Sequence, residues 1–391
     1  MQSLNLRLDS LVIFRNLLKS PVIIKLKDMI MQIGKSGKAV THYAGFISEL
    51  YRNYDNFSEF LLDSVLEDDN FYIKAKATGE KIDPIIETAL ANELDVLQEL
   101  SLIRPSELKS LIRFDGFLPE WKTKEFDFFT IYQERIENIS RFGFGMFSKY
   151  HVFAISGDEI VPVKYPDPIS LYDFECYDEQ REPIVKNTQA LLKNGPASNI
   201  LLYGDAGTGK SSTVKAIVNH YCGKGLRLVE VKKHQLNLLT EILEKLADNP
   251  LKFIIYIDDL SFTQNDDNFT ELKATLEGSS SDKGKNVVIY ATSNRRHLIK
   301  EHFSDRVGDE LHVNDSLQEM TGLAARFGLT VTFDKPNKDV YLQIVKRLAL
   351  EYDIMADEQL LKKAEAFAIR NNGRSPRTAR QFIELTKSEV Y

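Results

Sequence analysis

The sequence predicts an α/β fold built on a parallel five-stranded sheet, with a mostly helical region before it and helices after it. Two observations lead there. From Leu171 onward, five compact apolar runs alternate with helical segments, and each run is continuous rather than alternating, as strands covered on both faces are. Before about residue 140, apolar residues recur instead at helical spacing.

Taken in order, Leu4, Leu8, Leu11, Phe14 and Leu18 open the helical region. The segment from Ile82 to Ile103 has the same rhythm and stops before Pro105, as a helix should. Between Arg141 and Ser156 the character changes, and aromatics alternating with small and polar residues, followed by Ile160-Val161-Pro162-Val163, predict one or two strands. A packed hairpin explains this better than an aromatic-basic nucleic-acid surface. Pro162, Pro166 and Pro168 mark a linker. The five strands are expected at Asn199–Tyr203, Leu226–Val231, Lys252–Ile257, Asn286–Thr292 and Leu329–Phe333. Three helices follow Pro336, at about Asp339–Tyr352, Asp357–Asn371 and Ser375–Val390. The expected domains are 1–164, mostly helical with a short β segment near 141–163; 165–334, the α/β core; and 335–391, helical.

Composition narrows the function. The chain has 391 residues, 43% hydrophobic and 27% charged, with a formal net charge of −7. That balance argues against a polyanion as the main partner. The two cysteines, Cys176 and Cys222, stand in no metal-ligand spacing and read as free thiols of a reducing compartment. No signal-peptide pattern or membrane-length apolar run occurs, so a cytoplasmic protein without membrane contact is expected.

The strongest motif is Gly204-Asp205-Ala206-Gly207-Thr208-Gly209-Lys210-Ser211, followed by Ser212. It matches G-x-x-x-x-G-K-[ST] and lies between an apolar strand and a helix-forming segment, the context that marks a P-loop. Its glycines let successive N–H groups turn toward one anion, and the helix N-terminus adds its positive end. Lys210 is expected at the β- and γ-phosphates of ATP, and Ser211 on Mg²⁺.

Asp258-Asp259 ends the third strand. Beside a P-loop, the first acid is expected to hold the Mg²⁺ shell and the second to polarise an attacking water. Asn294, at the tip of the next strand, could place that water. Arg326 lies just before the last strand, where it could reach a neighbouring subunit's γ-phosphate or simply pair with a carboxylate. Arg377 opens the last helix behind Pro376 and could lean onto the phosphates. Arg370, Arg374 and Arg380 nearby could instead form a nucleic-acid patch. Arg295, Arg296 and His297 fit an interface, a supporting role or a solvated turn equally well.

In this order the motifs resemble those of an AAA+ ATPase. GDAGTGKS is similar to Walker A, IIYIDD to Walker B, ATSN to the sensor-1 strand, AARFG to the arginine-finger box and SPRTARQF to the sensor-2 helix. More narrowly, the core resembles a bacterial family of predicted AAA+ ATPases of unknown function, strongly from Tyr165 onward and more weakly upstream. The resemblance implies strand order 5-1-4-3-2, a C-terminal helical lid, ATP with Mg²⁺ between sheet and lid, and a tendency to form rings. It also implies that LYDFECYDEQ lines the adenine side. Tyr177 stands where many relatives have glycine, and Ala325 where an acid is expected before Arg326.

Three readings of function follow. One is an oligomeric ATPase, slow and regulated, that remodels or regulates a macromolecular partner through its N-terminal region. Another is a nucleotide-gated switch or scaffold with little turnover. The third is an ATP-dependent loader or helper acting on DNA. Nucleic acid is the less favoured partner on the acidic balance.

Overall fold

The computed structural model describes residues 2–32, 38–112, 114–171, 177–260, 267–278, 285–294, 325–371 and 373–390. The chain divides into two compact units, Met1–Lys149 and Tyr150–Tyr391.

The first unit is helical: α1 (Gln2–Asp9), α2 (Pro21–Gln32), α3 (Ala39–Leu50), α4 (Phe57–Leu66), α5 (Phe71–Thr78), α6 (Pro84–Ser101), α7 (Pro105–Lys109), α8 (Phe128–Glu137), α9 (Ile139–Phe142) and α10 (Met146–Lys149). Short polar side chains start several of these helices. Asn56, Asn70, Asp83 and Asp127 each accept backbone N–H groups of the following turn, the ordinary way to satisfy a helix N-terminus. Trp121 packs edge-on against Phe46 at 5.2 Å and anchors the aromatic part of the core.

One feature here escapes a reading by periodicity. Leu8, Leu11 and Phe14 are buried, as their spacing demands, yet the helix stops at Asp9 and resumes as a 3₁₀ turn at Arg15–Lys19. The break is held by Glu93 of α6. This carboxylate, only 7% exposed, accepts N–H groups from Val12 at 2.7 Å, Ile13 at 3.0 and 3.1 Å and Phe14 at 3.1 Å. Three consecutive amides around one anion form a fixed nest inside the unit.

In the second unit, β1 (Val152–Ser156) and β2 (Glu159–Pro162) are followed by α11 (Asp178–Leu192), β3 (Ile200–Gly204), α12 (Lys210–Tyr221), β4 (Leu226–Val231), α13 (Leu239–Ala247), β5 (Lys252–Ile257), α14 (Asp267–Gly278), β6 (Val287–Ser293) and β7 (Leu329–Phe333). Then come α15 (Lys338–Glu351), α16 (Glu358–Arg370) and α17 (Pro376–Lys387). Among the described residues the sheet has seven strands in the order β2-β1-β4-β5-β6-β3-β7. The expectation of five strands is thereby corrected. The five parallel strands sit contiguously within it as β7-β3-β6-β5-β4, which is 5-1-4-3-2 when they are numbered alone.

The two additional strands come from the segment expected to close the helical region. Arg141–Phe142 and Met146–Lys149 are helical, not extended. Only Val152–Pro162 forms the hairpin, and β1 pairs in parallel with β4, from Val152 opposite Leu228 to Ala154 opposite Glu230. The hairpin therefore belongs to the sheet. The expected boundary near residue 164 missed this because a hairpin's alternating pattern does not reveal its third partner.

The apolar runs of β3, β5 and β6 are buried along nearly their whole length, as continuous runs covered on both faces should be. The C-terminal helices build a smaller core of their own around Tyr341, Val345, Phe367, Phe382 and Ile383.

Replacing Glu93 with alanine leaves three amides, those of Ile13 and Phe14 buried, without their acceptor. Glu93→Ala is expected to destabilise the first unit by about 2–4 kcal/mol, with Glu93→Gln costing less. Urea unfolding followed on Trp121, the chain's single tryptophan, checks it; an unshifted midpoint would refute the role of the nest.

Candidate nucleotide site

The site lies at the C-terminal ends of β3, β5 and β6, where a parallel α/β sheet places its ligands. The P-loop joins β3 to α12. Gly204 has φ +136°, and a Cβ there would stand 2.1 Å from the carbonyl oxygen of Phe333 on β7, so only glycine fits. Gly207 and Gly209 also have positive φ, at +80° and +92°. Gly209 caps α12 without any side-chain hydrogen bond. That helix N-terminus therefore presents uncapped N–H groups, the standard seat of an anion.

The side chains of the loop divide by role. Ala206, Gly207, Gly209, Lys210, Ser211 and Ser212 line a cleft of 650 Å³. Gly204, Asp205 and Thr208 build the loop instead: Thr208 Oγ1 donates to Asp205 O at 2.9 Å, and an Asp205 carboxylate oxygen accepts the N–H of Lys335 at 3.2 Å. Lys210 is 6% exposed, and its ammonium donates to Gly204 O at 2.9 Å, Asp205 O at 2.7 Å and Asn294 Oδ1 at 3.0 Å. Burial pulls its pKa below the ordinary lysine value and Arg377 adds to this, against Asp205, Asp259 and Asp258, which raise it.

Asp258 and Asp259 leave the end of β5 and line the opposite wall of the cleft. One oxygen of Asp258, Oδ1, accepts three hydroxyls: Thr292 at 2.6 Å, Tyr256 at 2.7 Å and Ser211 at 2.8 Å. Partial burial alone would raise the carboxyl pKa; the three donors outweigh it and hold it below the ordinary aspartate value. The Ser211 bond links the P-loop to the acid across the floor of the cleft. Asp259 Oδ1 accepts from Nδ2 of Asn294 at 2.8 Å. Asn294 thus joins Lys210 to Asp259 through the two ends of a single amide.

Ser211 and Asp258 supply one hydroxyl and one carboxylate side by side. Hard oxygen donors of this kind, few in number, suit Mg²⁺, which keeps much of its shell for water and phosphate oxygens. Among the described residues there is no cluster of three or more His, Cys, Asp or Glu that could hold a metal alone.

The C-terminal helices close the other side. Arg377 and Arg380 on α17 and Ile344, Arg347 and Leu348 on α15 line the cleft. The N–H of Arg377 donates to Gly207 O at 3.3 Å, and a Cβ on Gly207 would stand 3.1 Å from both Arg377 Cβ and Ser375 Oγ. The last helix therefore rests its first turn on the P-loop backbone. On the remaining wall, Nδ2 of Asn219 on α12 donates to Asp167 O and Ile169 O, both at 2.8 Å, fixing a segment that faces the cleft. Tyr177, where glycine was expected, stacks on Phe333 at 5.5 Å and donates its hydroxyl to Asp334 O at 2.9 Å. It is a structural pin between the wall of the cleft and the strand that leads to α15.

Asp259, Asn294 and Arg377 are therefore assembled around Lys210, Ser211 and Asp258. Arg326 is not; it lies half-buried just before β7 and does not line the cleft. Arg295, Arg296, His297 and the segment 172–176 lie outside the described residues. Of the arginines considered as a nucleic-acid patch, Arg374 is paired with Glu365 at 2.6 Å and Arg380 faces the cleft. The sequence reading missed Ile344, Arg347 and Leu348, although their i, i+3, i+4 spacing puts them on one helix face. It also missed Tyr256 and Thr292, whose two-residue offset from Asp258 and Asn294 places them on the same side of their strands.

A P-loop after β3, an acid pair on its neighbour but one, a polar tip between them and C-terminal helices resting on the loop give this chain the P-loop α/β fold with the strand order expected of the AAA+ type. It belongs to a family described as a protein of unknown function (DUF815), whose model matches residues 148–390. No curated protein matches the chain. Among solved structures it is similar to RuvB of Thermotoga maritima, at 18% identity over 57% of this chain and 67% of that one, with a TM-score of 0.39. It is also similar to a DNA replication initiation factor, at 18% identity over 58% and 67% with a TM-score of 0.40. A third is the replication initiator DnaA bound to AMPPCP and single-stranded DNA, at 16% identity over 58% and 67% with a TM-score of 0.41.

The approach of Gly204 to Phe333 gives a direct check. Gly204→Ala forces two backbones apart and is expected to lower the thermal midpoint by more than about 6 °C. Gly223→Ala, where a Cβ meets nothing within 4 Å, should change it little. Equal midpoints in differential scanning calorimetry would contradict the close packing.

Proposed function

We propose that the chain binds ATP with Mg²⁺ in this cleft and hydrolyses it slowly, acting as an oligomer on a macromolecular partner engaged through its N-terminal helical unit. The observation that carries the reading is the Asn294 amide, bonded at one end to Lys210 and at the other to Asp259. A residue so placed connects the cation that would hold the phosphates to the carboxylate that would polarise a water.

In this reading the N–H groups of the P-loop and the Lys210 ammonium bind and orient the β- and γ-phosphates. Ser211 and Asp258 would hold Mg²⁺, which would supply charge neutralisation to the phosphate oxygens. Asp259 accepts a hydrogen bond from an O–H of the attacking water and so polarises it, and Asn294 keeps that carboxylate and water aligned. Arg377 leans over the phosphates from α17. Arg326 acts on the site of a neighbouring copy, where an arginine finger contributes on the order of 10³ to 10⁵ in rate. A nucleotide-gated switch with little turnover is the second reading, favoured by the backbone bond from Arg377 to Gly207; such a bond lets the last helix sense the P-loop whether or not ATP is cleaved.

Lys210→Ala is expected to abolish binding of a fluorescent ATP analogue; normal affinity would sink the assignment. Asp259→Asn should keep ATP bound while phosphate release falls by about 100-fold or more. Unchanged, negligible turnover in wild type and variant alike would favour the switch. Specific ATPase activity should climb with protein concentration and lose that rise in Arg326→Ala, and a concentration-independent rate would remove the role of the neighbour.

A further inference from the structure

Thr292 is 2% exposed at the tip of β6, and it is bonded to both acids. Its hydroxyl donates to Asp258 Oδ1 at 2.6 Å and accepts the N–H of Asp259 at 2.9 Å, while its carbonyl accepts the N–H of Leu260 at 2.7 Å. Residues 258–260 are thus held to one residue of the neighbouring strand at three points. Within that clamp Asp259 has φ +52°. Few residues other than glycine adopt this left-handed backbone, and Asp and Asn do so most readily. The turn ends the alternation of the strand and brings the Asp259 carboxylate to 2.8 Å from Asn294.

We propose that Thr292 is the positioning residue of the acid pair. Its hydroxyl fixes the carboxylate of Asp258 and, through the N–H of Asp259, holds the left-handed turn that presents the shorter acid to Asn294. The reach of Asp259 is set by this turn together with the short side chain, and not by side-chain length alone. A glutamate there would carry its carboxylate a further C–C bond, about 1.5 Å, past the position Asn294 defines, and would sit less easily in the left-handed backbone. The inference rests on reading the cleft as a Mg-nucleotide site and deepens that reading.

Thr292→Val keeps the shape and strand preference of the side chain and removes only the hydroxyl; Thr292→Ser keeps the hydroxyl. Binding of a fluorescent ATP analogue is titrated in EDTA and across a Mg²⁺ series, and turnover is measured at saturating ATP and Mg²⁺. The valine variant is expected to match wild type in EDTA and to lose about tenfold in Mg²⁺ affinity, the usual cost of removing a partner of a metal-ligating carboxylate. Its kcat should fall about 10- to 100-fold, as expected for a misplacement near 1 Å. Thr292→Ser should recover most of both, and Asp259→Glu should turn over more slowly than wild type. Wild-type Mg²⁺ affinity in Thr292→Val, a serine variant as impaired as the valine one, or a faster Asp259→Glu would each overturn the proposal. Lys210→Ala separates the two levels. Retained nucleotide affinity in that variant defeats the nucleotide reading itself, whereas its loss beside an unaffected Thr292→Val defeats only the positioning role. Should Thr292→Val fail to fold, Thr292→Ser and Asp259→Glu still decide the question.

Discussion

The site depends on how closely β3 and β7 approach at their ends. Gly204 lies against the carbonyl of Phe333 in a space that no side chain could enter, and the N–H of Asp205 donates to the same carbonyl at 3.1 Å. The carboxylate of the same Asp205 accepts the N–H of Lys335, two residues beyond Phe333, and Tyr177 is tied to Asp334. The start of the P-loop and the start of the segment leading to α15 are thereby fastened together. Because α17 also rests on Gly207, the loop is held at two of its three positive-φ glycines, Gly204 by β7 and Gly207 by α17. Shifts in the loop and shifts in the C-terminal helices cannot be independent events.

The acid pair has a similar logic. A carboxylate one methylene shorter than glutamate looks from the sequence like a weakened group. In the fold, its position depends on backbone conformation and on the residues of the adjacent strand as well, so side-chain length alone is the wrong measure. The same strand tip serves both acids, Thr292 for Asp258 and Asn294 for Asp259.

What could be read from residues alone follows from range. The five parallel strands were legible because burial on both faces leaves continuous apolar runs, and the P-loop because its chemistry is confined to eight consecutive residues. The three C-terminal helices were legible through periodicity and Pro376. Interactions between distant residues were not. Nothing local marks Glu93 as the group that ends α1, and nothing in Val152–Pro162 names β4 as its partner. Tyr256 and Thr292 look like ordinary strand residues until the strands lie side by side. Arg347 was overlooked because its face of α15 acquires meaning only when it meets the cleft.

The β1–β2 hairpin also governs where the chain can be cut. Without it, β4 would be the outermost strand, with a row of unpaired N–H and C=O groups that invites pairing with another chain. With it, the sheet ends on that side in a four-residue strand that finishes at Pro162, a poor template for further addition. A fragment begun at the proline-rich stretch would carry every residue that lines the cleft and still be prone to aggregate through β4. The smallest well-behaved piece of this chain must start before Val152, although the hairpin contributes nothing to the cleft.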